Sequence, residues 1–201
     1  MEKLNISESN GASVLRGSAA HESLRLKGKY FAQCFDHCGN LIWEDTIHNT
    51  VTDLGANQLL DSAFGSGPVA GPFLGLISSV GYTGIPVVGD TMSSHASVGH
   101  VWVEAGNGSN YPLWSTPASN ARASVSFSAA SSREKAIASA ASFVIATTGG
   151  TVKGCFLVFG SGAVAANNST AGVLYSAGIF DSGDKVVGIG DTLNVSYSTS
   201  V

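Results

Sequence analysis

The sequence predicts an all-β protein, a single β-sandwich of jelly-roll or immunoglobulin-like type with one short helix and a flexible N-terminal arm. Three observations support this fold class. Only 12% of the 201 residues are charged, about half the usual ~25%, while 44% are hydrophobic and 25 are glycine. Short segments of β-forming residues recur along the chain, separated by turn residues. Only one segment has convincing helical spacing.

The same composition excludes several classes of protein. Disordered chains are rich in charge and poor in apolar residues, and coiled coils are rich in Ala, Glu, Lys, Leu and Arg. A net charge of −4 argues against a protein that binds nucleic acid by neutralising phosphates. No window approaches the ~20 apolar residues of a membrane span. The first 20 residues lack the apolar core of a secretory signal, so we expect synthesis and assembly in the cytoplasm of the cell.

Residues 1–28 are predicted to form an extended arm, and residues 29–201 the folded domain. The arm lacks a sustained period and is rich in Ser, Asn, Glu and Ala, so we expect it to be disordered until it meets a partner. No Lys or Arg occurs between residues 30 and 121, whereas that stretch contains seven acids. A basic arm could therefore pair with an acidic body, although chance explains such a distribution equally well. The candidate partner-binding residues are Arg16, Arg25, Lys27 and Lys29.

The domain is predicted to begin with a hairpin, formed by residues 30–35 and 41–47 around turn residues 36–40. Thr52 or Asp53 can cap a short helix, in which Leu54, Leu59, Leu60 and Phe64 roughly follow helical spacing. Residues 73–77 are a short apolar run typical of a buried strand. Closely spaced Gly and Pro between residues 81 and 89 predict a long loop.

The remaining strands are predicted in the second half of the chain. Residues 123–128 and 192–198 alternate apolar and polar side chains, the period of a half-buried strand. Residues 137–145 are ambiguous, because Ala favours a helix while Phe143, Val144 and Ile145 before a turn favour a strand; we choose a strand. Further strands are predicted at residues 101–104, 154–159 and 173–180.

Signals for catalysis are weak. The segments Gly65-Ser66-Gly67 and Gly160-Ser161-Gly162 lack the Gly-x-Ser-x-Gly spacing of a nucleophile elbow and are predicted to be turns. Four histidines could in principle pair with nearby acids, but neighbours in sequence are a poor guide to a catalytic triad. The histidines are His37, His48, His95 and His100, and the acids are Asp36, Asp45, Asp90 and Glu104. No phosphate-binding or dinucleotide motif occurs, so we expect neither enzymatic activity nor a cofactor.

Cys34, His37 and Cys38 place three possible zinc ligands within five residues. A fourth could come only from Cys155 or a distant histidine, so the ligand set is incomplete. We favour the alternative, in which Cys34 and Cys155 are small buried side chains and Cys38 lies in the turn. Because the cysteine count is odd, we expect all three thiols to stay reduced and no structural metal.

Exposed tryptophans beside Asn and Asp are typical of shallow sugar-binding sites. Trp43, Trp102 and Trp114 are the candidates. Each lies within or beside an apolar run, which favours packing in the core or at a subunit interface.

Several short segments then follow one another in a recognisable order. They are Trp43-Glu44-Asp45, Asn49-Thr50-Val51-Thr52, Asn57-x-Leu59-Leu60-Asp61, Phe73-Leu74-Gly75-Leu76-Ile77, Asp90-Thr91-Met92-Ser93-Ser94-His95, Leu174-Tyr175-Ser176-Ala177-Gly178-x-Phe180 and Gly190-Asp191-x-Leu193-x-Val195. From about residue 29 to residue 201 the chain resembles a family of tailed-phage virion proteins. In short-tailed phages these resemble head decoration, or cement, subunits in size and β-rich character.

The resemblance implies a non-enzymatic virion protein assembled in the host cytoplasm. Its implied partners are the major capsid protein and neighbouring copies of itself, with no nucleic acid, membrane or small-molecule substrate. The alternative is a tail-fibre or neck component that binds a host receptor or a glycan.

Overall fold

The structure is a computed structural model that describes residues 26–64, 70–82, 84–95 and 102–201. It contains one α-helix, a 3-10 turn at Met92–His95 and twelve strands within these residues. The helix α1 is Asp53–Phe64. The strands are β1 (Lys27–Phe35), β2 (Leu41–Val51), β3 (Phe73–Ser78), β4 (Val103–Glu104), β5 (Leu113–Thr116), β6 (Ala123–Ser124), β7 (Glu134–Ala136), β8 (Ala141–Thr148), β9 (Gly150–Phe159), β10 (Val173–Ile179), β11 (Lys185–Val187) and β12 (Thr192–Ser200).

One antiparallel sheet connects these strands. The order along it is β4-β3-β9-β10-β2-β1-β12-β8-β5, with β6, β7 and β11 paired to β3, β12 and β9. The predicted β-rich class and the single short helix are confirmed. The division into the two separate sheets of a sandwich is not, because hydrogen bonds run without a break from one half to the other.

Strand β2 joins the two halves. It pairs with β1 from Leu41 to Asn49, and its last two residues, Thr50 and Val51, pair instead with Ala177 and Ser176 of β10. A long strand in a twisted sheet can pair with a different neighbour at each end. Because β2 does so, the sheet curls around its inner face.

The main hydrophobic core lies inside the curl and takes residues from both halves. Tyr30, Phe143 and Tyr197 come from one half, and Leu157 and Tyr175 from the other. A second cluster covers the outer face of β3, β9 and β10, where Trp102 packs with its ring centroid 5.3 Å from that of Phe156. These strands are therefore buried on both faces, which explains their continuous apolar sequence.

Several strand boundaries differ from the prediction. The predicted hairpin is confirmed as β1 and β2, and Gly160-Ser161-Gly162 lies in a turn as expected. The described part of the predicted strand at residues 101–104 and the predicted strand at residues 123–128 contribute only the two-residue strands β4 and β6. The strand chosen for residues 137–145 is confirmed only from Ala141, where β8 begins. Ile137 forms an isolated bridge to Phe127, and residues 138–140 belong to no strand. The short strands β5, β7 and β11 were not predicted, because three or four residues carry little periodic signal.

Thr52 caps α1, as predicted. Its Oγ1 accepts the backbone N–H of Gly55 at 2.9 Å, and its own hydroxyl donates to the carbonyl of Leu174 on β10. No helix in the described ranges is long and apolar enough to span a membrane.

Candidate functional site

Of the four predicted partner-binding residues, the structure places two. Lys27 and Lys29 are exposed at the start of β1, and this strand begins two residues before the predicted domain boundary at residue 29. Arg16 and Arg25, and residues 1–25 of the predicted arm as a whole, lie outside the described residues. The role of these four residues in binding a partner stays a prediction.

The acidic body proposed from the sequence is smaller than the count of acids suggests. Four of the seven acids already have partners within the fold. The Asp36 carboxylate accepts a hydrogen bond from its own turn, and that of Asp90 accepts an indole N–H. Asp45 forms an ion pair with a lysine, and Glu104 forms one with a buried arginine. Glu44, Asp53 and Asp61 remain, and none of them forms an ion pair with another described residue.

The pair Glu104–Arg122 is a structural element that the sequence analysis missed. Arg122 Nε and Nη2 each donate to a Glu104 carboxylate oxygen at 2.8 Å, and both side chains are fully buried. The guanidinium also donates to the carbonyls of Val164 at 3.2 Å and Ser169 at 2.7 Å. This network holds the loop between β9 and β10 against β4. The only signal in the sequence is a lone arginine within an otherwise apolar and small-residue segment.

The helix α1 does not bury the leucines that predicted it. Leu54, Leu59 and Leu60 are 46%, 36% and 54% exposed. The face that meets the sheet contains Gly55 instead, where a Cβ would lie only 2.4 Å from the carbonyl oxygen of Tyr175. The spacing of the leucines therefore predicted the helix but does not mark the face that meets the sheet, because the close approach of helix and strand requires a glycine at the contact.

An apolar groove of about 190 Å³ opens beside this helix. Its walls are mainly Leu59, Phe127, Leu157, Phe159 and Tyr175. Lys135 and Thr199 also line it, together with Ser62, Gly71 and Pro72. Pockets for drug-sized ligands are typically ~300–1,000 Å³, whereas an engineered cavity of about 150 Å³ holds a benzene molecule. The groove therefore has room for one apolar side chain or a ring, and we call it the helix groove.

A second apolar surface lies at the end of the molecule that carries the β1–β2 turn. It comprises Leu41, Ile42, Val186 and Ile189, which are 49%, 50%, 69% and 66% exposed. The indole N–H of Trp43 donates to the carbonyl of Val186 at 3.0 Å, which places β11 beside the start of β2. We call this surface the end patch. Exposed apolar residues are ordinary on a protein surface, and these four carry no functional conclusion by themselves.

Among the described residues, the catalytic and metal-binding combinations considered from the sequence are not brought together. His48 Nδ1 lies 2.7 Å from the carboxylate of Asp181, which is none of the predicted acids. No group of three or more His, Cys, Asp or Glu that could hold a metal ion occurs among the described residues. His95, His100 and the Gly65-Ser66-Gly67 segment lie wholly or in their side chains outside the described part of the chain.

The cysteines lie where the favoured interpretation puts them, with Cys34 and Cys155 buried and Cys38 exposed in the turn. Burial, followed by the nearby Asp191 carboxylate, raises the pKa of Cys34 to about 12. Burial also raises the pKa of Cys155 well above its usual value. The two buried thiols therefore stay protonated at neutral pH and are poor ligands and nucleophiles.

The tryptophans lie mainly in packed positions. Trp102 is fully buried, and Trp114 is 2% exposed with its ring centroid 5.2 Å from that of Phe143. Neither presents a free face to a sugar. Trp43 is half-buried, packing edge-on against Phe180 beside the end patch.

Comparisons with protein-family models, with curated proteins and with solved structures found no match to this chain.

Proposed function

We propose that this chain is a non-enzymatic structural subunit of a phage virion, a capsid decoration or cement protein. In this role it binds the outer surface of the major capsid protein shell and neighbouring copies of itself. The observation that supports the proposal best is the apolar surface around α1, which consists of exposed leucines beside an apolar groove. Its position on a densely packed β body suits a protein that works by binding.

The segments that carry the resemblance to phage virion proteins occupy neighbouring elements. Trp43 to Val51 form most of β2, Asn57 to Asp61 lie in α1, and Leu174 to Gly178 lie in β10. Strand β10 pairs with β2, and α1 packs on β10 through Gly55. These segments therefore build one packed unit, which is consistent with a structural role for the motifs. We also propose that the curled sheet is a β-sandwich whose two layers share β2.

Attachment through apolar surface fits this chain better than attachment through charge. Residues 1–29 contain Lys3, Arg16, Arg25, Lys27 and Lys29 but also Glu2, Glu8 and Glu22, so their net charge is 5 − 3 = +2. Two of the acids that could oppose them, Asp45 and Glu104, are already neutralised within the fold by ion pairs with Lys185 and Arg122. Burying one leucine side chain stabilises a contact by about 1.5–3 kcal/mol, and many copies on one shell multiply modest contacts by multivalency.

The experiment compares particles with and without this subunit for genome retention during a temperature ramp, and counts its copies per particle. We expect hundreds of copies, and earlier loss of DNA from particles that lack the protein. Leu60→Asp should weaken attachment, whereas Val80→Asp should not, because Val80 is similarly exposed but follows the end of β3 opposite the groove residues Gly71 and Pro72. Both variants are first checked for an unchanged thermal midpoint.

Two results would contradict the cement role. The first is a copy number of a few dozen or fewer. The second is a particle that lacks the protein and retains its DNA fully but does not adsorb to cells. Either would favour the alternative of a tail-fibre or neck component that binds a receptor or glycan. Loss of attachment at moderately raised salt would instead favour a charge-based contact.

A further inference from the structure

The helix groove lies beside the point where the chain enters the fold. Thr199 lines the groove, and its hydroxyl donates to the backbone carbonyl of Lys27 at 3.0 Å. Lys135 lines it as well and pairs with Thr199 across β7 and β12. Leu26, the described residue directly before Lys27, therefore lies at the rim of the groove.

Every second side chain of β1 faces the side of the sheet on which the groove lies. Tyr30 is fully buried in the core, and Gly28 is directed at Tyr197, since a Cβ on Gly28 would lie 2.4 Å from the Tyr197 hydroxyl. Successive residues of a strand face opposite sides, so Leu26 and Leu24 share the face of Gly28 and Tyr30 if the chain continues extended. Leu26 is already half-buried.

We propose that the segment directly before β1 docks into the helix groove of its own chain, with the Leu24 side chain as the apolar anchor. At ~3.3 Å per residue, Leu24 can lie about 10 Å from Lys27, within the reach of a groove that starts at Thr199. The groove walls are almost wholly apolar, and its volume of about 190 Å³ accommodates a leucine side chain.

Charge complementarity agrees with this occupant. Lys135 is exposed at the groove and forms no ion pair with a described residue. Glu22 precedes Leu24 by two positions, so a docked segment brings its carboxylate towards this ammonium group.

The segment of the same chain is favoured over that of a second copy because a short tether gives a high effective concentration, typically in the millimolar range. The proposal does not rest on the virion role, because the docked segment fills the groove and leaves Leu54 and Leu60, which do not line it, exposed for a partner. If the segment from about residue 22 docks in the groove, only about residues 1–21 of the predicted arm remain available to reach a partner.

Disulfide trapping tests the proposal in the full-length chain. In a Cys38→Ser background, Leu24→Cys is combined with Ser62→Cys or, separately, with Lys135→Cys, both groove positions. The matched control combines Leu24→Cys with Ile189→Cys in the end patch. Ile189 precedes Thr192, and Thr192 pairs with Phe35, so it lies near the opposite end of β1 and beyond the reach of the short tether.

Because a disulfide needs Cα atoms within about 7 Å, we expect a cross-link within the monomer for at least one groove pair and none for the control. A covalent dimer as the main product would assign the groove to a neighbouring copy and overturn the proposal. The absence of any cross-link from both groove pairs would overturn it too, as would equal cross-linking in the control.

A second measurement does not depend on cysteine geometry. Leu24→Asp should lower the thermal midpoint by roughly 3–12 °C, because the groove loses its apolar occupant, whereas Leu24→Met should change it little. Leu15→Asp, the same change farther along the arm, is the control. Equal effects of Leu24→Asp and Leu15→Asp would contradict docking of this particular residue.

Discussion

Replacing Arg122 by methionine should destabilise the protein more than any change to a surface charge. The variant leaves the Glu104 carboxylate buried without its counter-charge, with the backbone N–H of Asn168 at 2.8 Å among its few remaining partners. It also leaves the carbonyls of Val164 and Ser169 without the guanidinium donor. Removing one partner of a fully buried ion pair costs about 3–5 kcal/mol.

For a chain of this length, 1 kcal/mol corresponds to about 2–4 °C in thermal midpoint. Arg122→Met should therefore lower the midpoint by roughly 6–20 °C and shift the denaturant midpoint in the same direction. The matched control is Asp184→Asn, which breaks the partly exposed pair with Lys153 (Nζ–Oδ1 2.7 Å) and should cost ~0–1 kcal/mol. Both free energies of unfolding come from the same chemical denaturation assay.

The double variant Glu104→Leu/Arg122→Met separates the ion pair from simple packing. Because it removes both buried charges, it should recover much of the stability that Arg122→Met loses. A loss below about 1 kcal/mol for Arg122→Met, or a double variant at least as unstable as the sum of the two single variants, would refute this account of the loop between β9 and β10.

Three further predictions follow from the contacts of single residues. Gly55→Ala, normally stabilising in a helix by up to ~1 kcal/mol, should destabilise the protein because its Cβ would meet the Tyr175 carbonyl; a raised thermal midpoint would contradict this. Of the three thiols, only Cys38 should react with a thiol reagent in the native protein at pH 8, and the two buried thiols only after unfolding, so rapid labelling of more than one would contradict their burial. Burial raises the pKa of Asp45, but Lys185 and several hydrogen bonds outweigh it and lower the pKa overall. The stabilisation by this carboxylate is therefore full above about pH 4 and lost as the pH falls through the folded-state pKa, and Asp45→Asn should flatten that part of the stability–pH curve.

Much of the fold follows from local patterns that the sequence shows directly. The β1–β2 hairpin, the strands β9, β10 and β12, and the Thr52 cap depend on side-chain alternation, turn residues and a single hydroxyl, all readable over a few positions. The burial of Cys34 and Cys155 follows in the same way from their apolar surroundings.

The candidate site could not be derived from these patterns, because each of its parts depends on residues far apart in sequence. Leucines spaced as in α1 usually face a core, and only the contact between Gly55 and Tyr175 turns them towards solvent. The helix groove joins α1 to residues more than a hundred positions later, such as Thr199.

The pairing of the charges and the curl of the sheet also depend on residues far apart in sequence. The sequence determined how many acids the chain has, but the tertiary structure determined which of them form buried ion pairs. Glu104 and Arg122 meet only because β4 and the segment around residue 122 pack together. Likewise, β-forming residues beside a turn determined that β2 is a strand. Its pairing with both β1 and β10, which makes one curled sheet, depends on the twist accumulated across its eleven residues. Local sequence patterns determine the strands and the helix because the interactions that favour them join residues close in sequence. Long-range packing determines which surfaces stay exposed for a partner.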